Sequence, residues 1–120
     1  YGIEKVSQGG IHFDSKKEAR RYAELKMLLR AGEITDLELQ KPFELIPAQF
    51  ETFPRYGKNG KRLTDGKHCI EKSCVYKADF VYKNKAGETV VEDTKGMKTK
   101  DYIIKRKLML YIHGIRIVEI

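Results

Sequence analysis

The chain has 120 residues, with 24 Lys and Arg against 17 Asp and Glu, for a formal net charge of +7. At 41% hydrophobic and 34% charged residues it is neither a disordered tail nor a membrane protein, and its length suits one domain with a single modest core. No apolar run approaches the ~18–20 residues of a membrane span. No signal-peptide pattern opens the chain, and Tyr1 in place of Met suggests a trimmed start.

The first strong element runs from Lys16 to about Ala31. Ser15 and Glu18 have capping-box spacing, and Gly32 stands where a helix should stop. Glu18, Tyr22, Leu25 and Leu29 fall on one face, so Glu18 begins the core-facing stripe. Leu37, Leu39, Phe43 and Leu45 then alternate with polar residues, and Pro42 points to an edge strand or a bend. From Pro47 to Glu71 no period is visible, which predicts a long loop of functional weight. In and just after it lie His68, Cys69 and Cys74, three zinc-type ligands without a fourth, which read as two thiols in a polar loop. So few cysteines make no disulfide scaffold, and with no signal they favour a reducing cytoplasm.

Val75 to Tyr82 reads as a second strand, Lys85–Gly87 as a hairpin turn, and Thr89 to Lys95 as a third strand. The period turns helical from Thr99 to His113, with Ile104, Leu108 and Tyr111 on one stripe and Met109 and Ile112 beside it. Gly114 ends that helix, and Ile115 to Ile120 closes the chain as a strand. The order is helix, strand, strand, strand, helix, strand.

Charge is unevenly placed. Residues 51–77 are net +4 and residues 95–107 net +5, while residues 78–94 between them are net −2. An acidic island between basic segments suits metal-dependent chemistry on a polyanion. Period two puts Asp79 with Val75, Lys77 and Val81, opposite Tyr76, Ala78, Phe80 and Tyr82. It puts Asp93 with Val91 and Lys95, opposite Val90, Glu92 and Thr94. An aspartate inside a strand needs a cation nearby. Glu18, Asp79 and Asp93 around Lys95 form an all-oxygen set suited to Mg²⁺ or Mn²⁺, or else a structural ion-pair network.

The ADF strand (Ala78–Phe80), the DTK strand end (Asp93–Lys95) and an upstream helix with a core-facing Glu together resemble the PD-(D/E)XK nuclease superfamily. The segments HFDSKKEARRYAEL, VYKADFVY and VVEDTKGMKT further resemble a family of small phage endonuclease-like proteins assigned to it. Ala78 stands where that signature has proline. Glu92 beside Asp93 leaves the ligand open by composition, although only Asp93 shares a face with Lys95.

The resemblance implies a restriction-endonuclease-like αβββαβ core: an α/β fold with a mixed central sheet flanked by helices. It makes residues 1–120 a single nuclease domain with a basic loop insertion at about 47–73. It implies a metal-dependent deoxyribonuclease, phage-encoded, acting in DNA recombination or processing in the host cytoplasm, with DNA as partner and a homodimer by analogy. Asp79, Asp93 and the Thr94 carbonyl would hold Mg²⁺ or Mn²⁺, Glu18 a second metal or its water, and Lys95 the attacking water or the phosphorane charge. Arg55, Lys58, Lys61 and Arg62, with Lys98, Lys100 and Lys105, would meet phosphates. Lys105 could reach the site or lie along the core edge, and Tyr102 is equally open. The rival is a non-catalytic nucleic-acid-binding protein that retains the nuclease fold.

Overall fold

A computed structural model describes residues 6–8 and 10–120, with side chains from residue 10 onward. A short hairpin, β1 (Val6–Gln8) and β2 (Ile11–Phe13), leads into helix α1 (Lys16–Arg30). Strand β3 (Thr35–Ile46) follows, then β4 (Gln49–Tyr56) and β5 (Arg62–Glu71), then β6 (Cys74–Lys83) and β7 (Thr89–Asp93). Helix α2 (Lys100–His113) and β8 (Val118–Glu119) complete the chain. The fold is mixed α/β. Its central sheet has the order β3-β6-β7-β8, antiparallel except for the β7–β8 pair, which is parallel.

Local chemistry sets the boundaries. The Ser15 side chain accepts the Glu18 backbone N–H at 3.1 Å and opens α1. Thr99 does the same for Tyr102 at 3.3 Å and opens α2, while Gly114, at φ 67°, closes it in the left-handed conformation that glycine adopts most cheaply. Pro42 sits on β3, the sheet edge, where a missing N–H does least harm.

Each helix covers its own core cluster. Ala19, Tyr22 and Leu25 of α1 pack with Phe13, Ile34, Phe80 and Tyr82. Tyr102 and Met109 of α2 pack with Leu45, Tyr76, Ala78, Val81, Val91 and Ile117. Neighbours Phe80 and Val81 fall in different clusters, as do Val90 and Val91, so the helices lie on opposite faces of the sheet.

The alternation expected along β6 does not run through unbroken. Tyr76 and Ala78 join the α2 cluster with Val81, whereas Phe80 and Tyr82, of the same parity, join the α1 cluster. The phase slips by one residue at Asp79. Opposite it, between the pairs Leu39–Phe80 and Lys41–Ala78, Gln40 has φ 52°.

The expected stripe on α2 is also corrected. Tyr102 and Met109 are its buried residues, while Ile104 is 58% and Tyr111 87% exposed. The third strand ends at Asp93 rather than Lys95, and the last strand is only Val118–Glu119.

The largest difference lies at residues 47–73, expected as a loop. They form an antiparallel hairpin, β4–β5, with solvent on both faces and a 3₁₀ turn at Lys58–Gly60. Both faces being wet, no apolar alternation marks these strands. Gly66 is the arm's one buried residue among those described, with the Phe53 ring lying where a Cβ would stand. The arm joins β3 to β6 at the register pair Ile46–Cys74. It lengthens the molecule to 66 × 37 × 31 Å with a radius of gyration of 20.2 Å. A compact domain of this length would have about 14 Å. Among the described residues no helix is long and apolar enough to cross a membrane.

Candidate active site

Three elements deliver three carboxylates: Glu18 from the first turn of α1, Asp79 from within β6, and Asp93 from the end of β7. Phe80 pairs with Glu92, and just beyond that pair the Asp79 carboxylate reaches Thr94, the residue after Asp93. Glu18 is 4% and Asp93 1% exposed, while Asp79 is half-buried. A cleft of about 720 Å³ opens over Glu18, Asp79, Thr94 and Lys95.

Each carboxylate is held. Asp79 Oδ2 accepts the Thr94 backbone N–H at 2.8 Å and its hydroxyl at 2.7 Å. Asp93 accepts the Tyr76 hydroxyl at 2.6 Å and the Lys95 backbone N–H at 2.9 Å. The Gln40 amide nitrogen lies 2.9 Å from Glu18 Oε1 and 3.4 Å from Asp79 Oδ1, so these two carboxylates converge on one donor. The Lys95 ammonium lies 5.4 Å from the centre of the Tyr102 ring, beside the cleft that Lys95 lines.

The adjacent acids of β7 part company. Glu92 turns to the α1 side, where it accepts Arg21 Nε at 2.8 Å and Nη2 at 2.7 Å, together with the Tyr82 hydroxyl. Asp93 turns to Tyr76 on the α2 side. Period two along this short strand is enough to separate them.

Other expected residues lie elsewhere. Lys98 pairs with Glu119 at 3.3 Å, and Lys100 is exposed at the start of α2. Lys105 is half-buried on α2 and does not line the cleft. Tyr102 is a core residue whose hydroxyl donates to Glu119 at 2.7 Å. Arg55, Lys58, Lys61 and Arg62 gather around the tip of the arm. Cys69 and Cys74 are free thiols. Among the described residues no three His, Cys, Asp or Glu side chains are already gathered in metal-holding geometry. Gln40 separates Glu18 from Asp79, and Tyr76 holds Asp93. Gln40, Arg21 and Tyr76 are the residues that sequence reasoning did not place at or beside this site. For Gln40 no signal exists, since a polar residue on an edge strand is unremarkable.

A family model described as "Protein of unknown function (DUF1064)" matches residues 1–116. The chain belongs to that family. No curated protein and no solved structure matches it.

In this DUF1064 chain the cluster concentrates more negative charge than its surroundings readily hold. Burial, then the charge of Asp79, pushes the Glu18 carboxyl from 4.5 up to about 7. Burial also raises Asp93, against the Tyr76 hydrogen bond, which favours its ionised form. Tyr76 in turn is raised by burial and by the Asp93 carboxylate, which keeps its proton in place. The site therefore favours a proton or an added cation at neutral pH. Its donors are oxygens, the chemistry of hard divalent ions.

Proposed function

We propose that the protein is a metal-dependent DNA endonuclease of the PD-(D/E)XK kind, hydrolysing phosphodiester bonds on a restriction-endonuclease-like αβββαβ core. One observation carries the reading: Glu18 and Asp79 converge on one point, with Lys95 beside them on the cleft wall. Element order supports it. With the two hairpins set aside, α1, β3, β6, β7, α2 and β8 run in the αβββαβ sequence.

The residues fit Mg²⁺ or Mn²⁺ in donor chemistry, with Asp79, Glu18, Asp93 and the Thr94 carbonyl as its oxygen ligands. Bound there, the cation would lower the pKa of water and neutralise charge on the phosphoryl oxygens. The chain's own groups orient the rest. Thr94 fixes Asp79 with two hydrogen bonds, and Tyr76 with the Lys95 N–H fixes Asp93. The Lys95 ammonium would steady the charge that grows on the attacked phosphate. Lys98, Lys100 and Lys105 would lie towards flanking phosphates. The same reading makes the protein phage-encoded and active in DNA recombination or processing, with two copies cutting the two strands of a duplex.

A second reading, a non-catalytic nucleic-acid-binding protein on the same fold, is favoured by Gln40, whose amide already satisfies both carboxylates. Incubation with plasmid, linear duplex and four-way-junction DNA in Mg²⁺, Mn²⁺ or excess chelator decides between them. Cleavage is expected with either cation and none in chelator. Intact DNA under every condition would leave the binding protein. Lys95→Ala is expected to slow single-turnover cleavage about a hundredfold, with a much smaller change in DNA affinity in chelator. Equal losses in both would make Lys95 an ordinary phosphate contact.

A further inference from the structure

The β4–β5 arm projects from the sheet without a core of its own, and its tip is strongly basic. Residues 55–62 contain Arg55, Lys58, Lys61 and Arg62 and no acid, and of these cations Arg62 is ion-paired with Asp65 on β5. Cations stand on both faces of the ribbon. Tyr56 pairs with Arg62, whose guanidinium lies 5.7 Å from the ring centre. On that same face Lys67 lies 6.0 Å from the ring centre of Phe50. Arg55, next to Tyr56 and paired with Leu63, points to the opposite face. Phe50 and Tyr56 are exposed, an unfavourable arrangement for a hairpin with no partner.

We infer that this arm is a DNA-gripping element that docks, tip first, into the major groove of duplex DNA outside the cleft. A two-stranded ribbon matches a groove about 12 Å wide. With cations on both faces, it meets the phosphates of both groove walls at once, whereas a single strand would engage one face. The exposed rings give Arg62 and Lys67 a flat partner and the base edges an apolar neighbour. The inference rests on the preceding reading only for the identity of the polymer, and it is testable without cleavage.

Two variants test it, both assayed in chelator by fluorescence anisotropy on labelled duplex and single-stranded DNA. In the first, Arg55, Lys58, Lys61 and Arg62 all become Gln. In the second, residues 47–73 are replaced by Asn-Gly, closing β3 on β6 at the Ile46–Cys74 pair as a two-residue hairpin. The first is expected to flatten the log–log salt slope for duplex by about three units and to weaken binding about a hundredfold or more. Its effect on single-stranded DNA should be smaller. The second should lose duplex affinity at least as far while keeping a cooperative thermal transition. Wild-type affinity and slope in the first variant would overturn the inference, as would an equal or larger loss on single strands. So would an arm-deleted chain that changes oligomeric state but keeps its DNA affinity, since the arm would then join copies of the chain. A wild-type protein whose arm binds duplex but which never cuts it with Mn²⁺ would retain the arm and sink the nuclease.

Discussion

Asp93→Asn is expected to abolish cleavage and leave the protein as stable as before or firmer, whereas Glu92→Gln should do the reverse. The two acids are neighbours in sequence and both are buried. What separates them is company. Glu92 is fully met by the fork of Arg21 and by Tyr82, a structural pair that locks α1 to the sheet. Removing one partner of a buried ion pair costs about 3–5 kcal/mol. Gln retains one acceptor oxygen and Arg21 keeps part of its solvent, so the loss should sit near or below the lower end of that range. Among the described residues Asp93 has two neutral donors and no ammonium or guanidinium bonded to it, and burial makes its charge costly. An uncharged isostere removes that cost. In the proposed role of metal ligand, however, Asn would lack the charge needed to hold a divalent ion. Single-turnover cleavage should fall by at least about a thousandfold for Asp93→Asn, equivalent to about 4 kcal/mol of barrier. It should retain at least about a tenth for Glu92→Gln, below about 1.4 kcal/mol, at a temperature where both remain folded. Urea melts should rank the two variants in the opposite order. A dead Glu92→Gln beside an active Asp93→Asn would put the wrong acid in the site.

The split of Glu92 from Asp93 was legible in the sequence because no register shift interrupts β7, so its two-residue period holds. The same holds for α1, whose cap is written in Ser15 and Glu18, and for the turn between β6 and β7. Other features needed the tertiary structure. Residues 102–112 are apolar at so many positions that periodicity could not choose a face, and the face buried carries Tyr102 and Met109 rather than Ile104 and Tyr111. The arm has solvent on both sides, so its strands carry no alternation to read. Gln40 is the clearest case. Its left-handed backbone costs a non-glycine residue about 1–2 kcal/mol, and nothing local demands it. The cost is understandable only with Asp79 across the sheet and Glu18 above, because there the amide reaches both carboxylates. The sequence order of Glu18, Asp79, Asp93 and Lys95 pointed to the cluster, but not to the group that sits between its members.

Without a divalent cation, the protein should lose stability as the pH rises from about 5 to about 7, and Glu18 should account for most of the loss. Its carboxyl titrates near the usual 4.5 when unfolded and at about 7 when folded. Between those values the folded state binds more protons than the unfolded one, so raising the pH favours unfolding. Below the window both states are protonated, and above it both are ionised, so the slope vanishes at either end. A shift of this size corresponds to about 3 kcal/mol. Asp93, raised by the same burial, contributes with the same sign. Glu18→Gln should therefore remove most of the slope and leave a residue of it. Saturating Mn²⁺ should reverse the trend, because the ion binds the ionised carboxylates and stabilises the state that holds it. Cation affinity should then fall about tenfold for each pH unit below 7. Urea midpoints with and without Mn²⁺, for wild type and Glu18→Gln, test both halves. The same slope in Glu18→Gln as in wild type would place the strained proton elsewhere. A Mn²⁺ effect that did not depend on pH would mean that the ion binds away from Glu18, because a cation held by that carboxylate must first displace its proton.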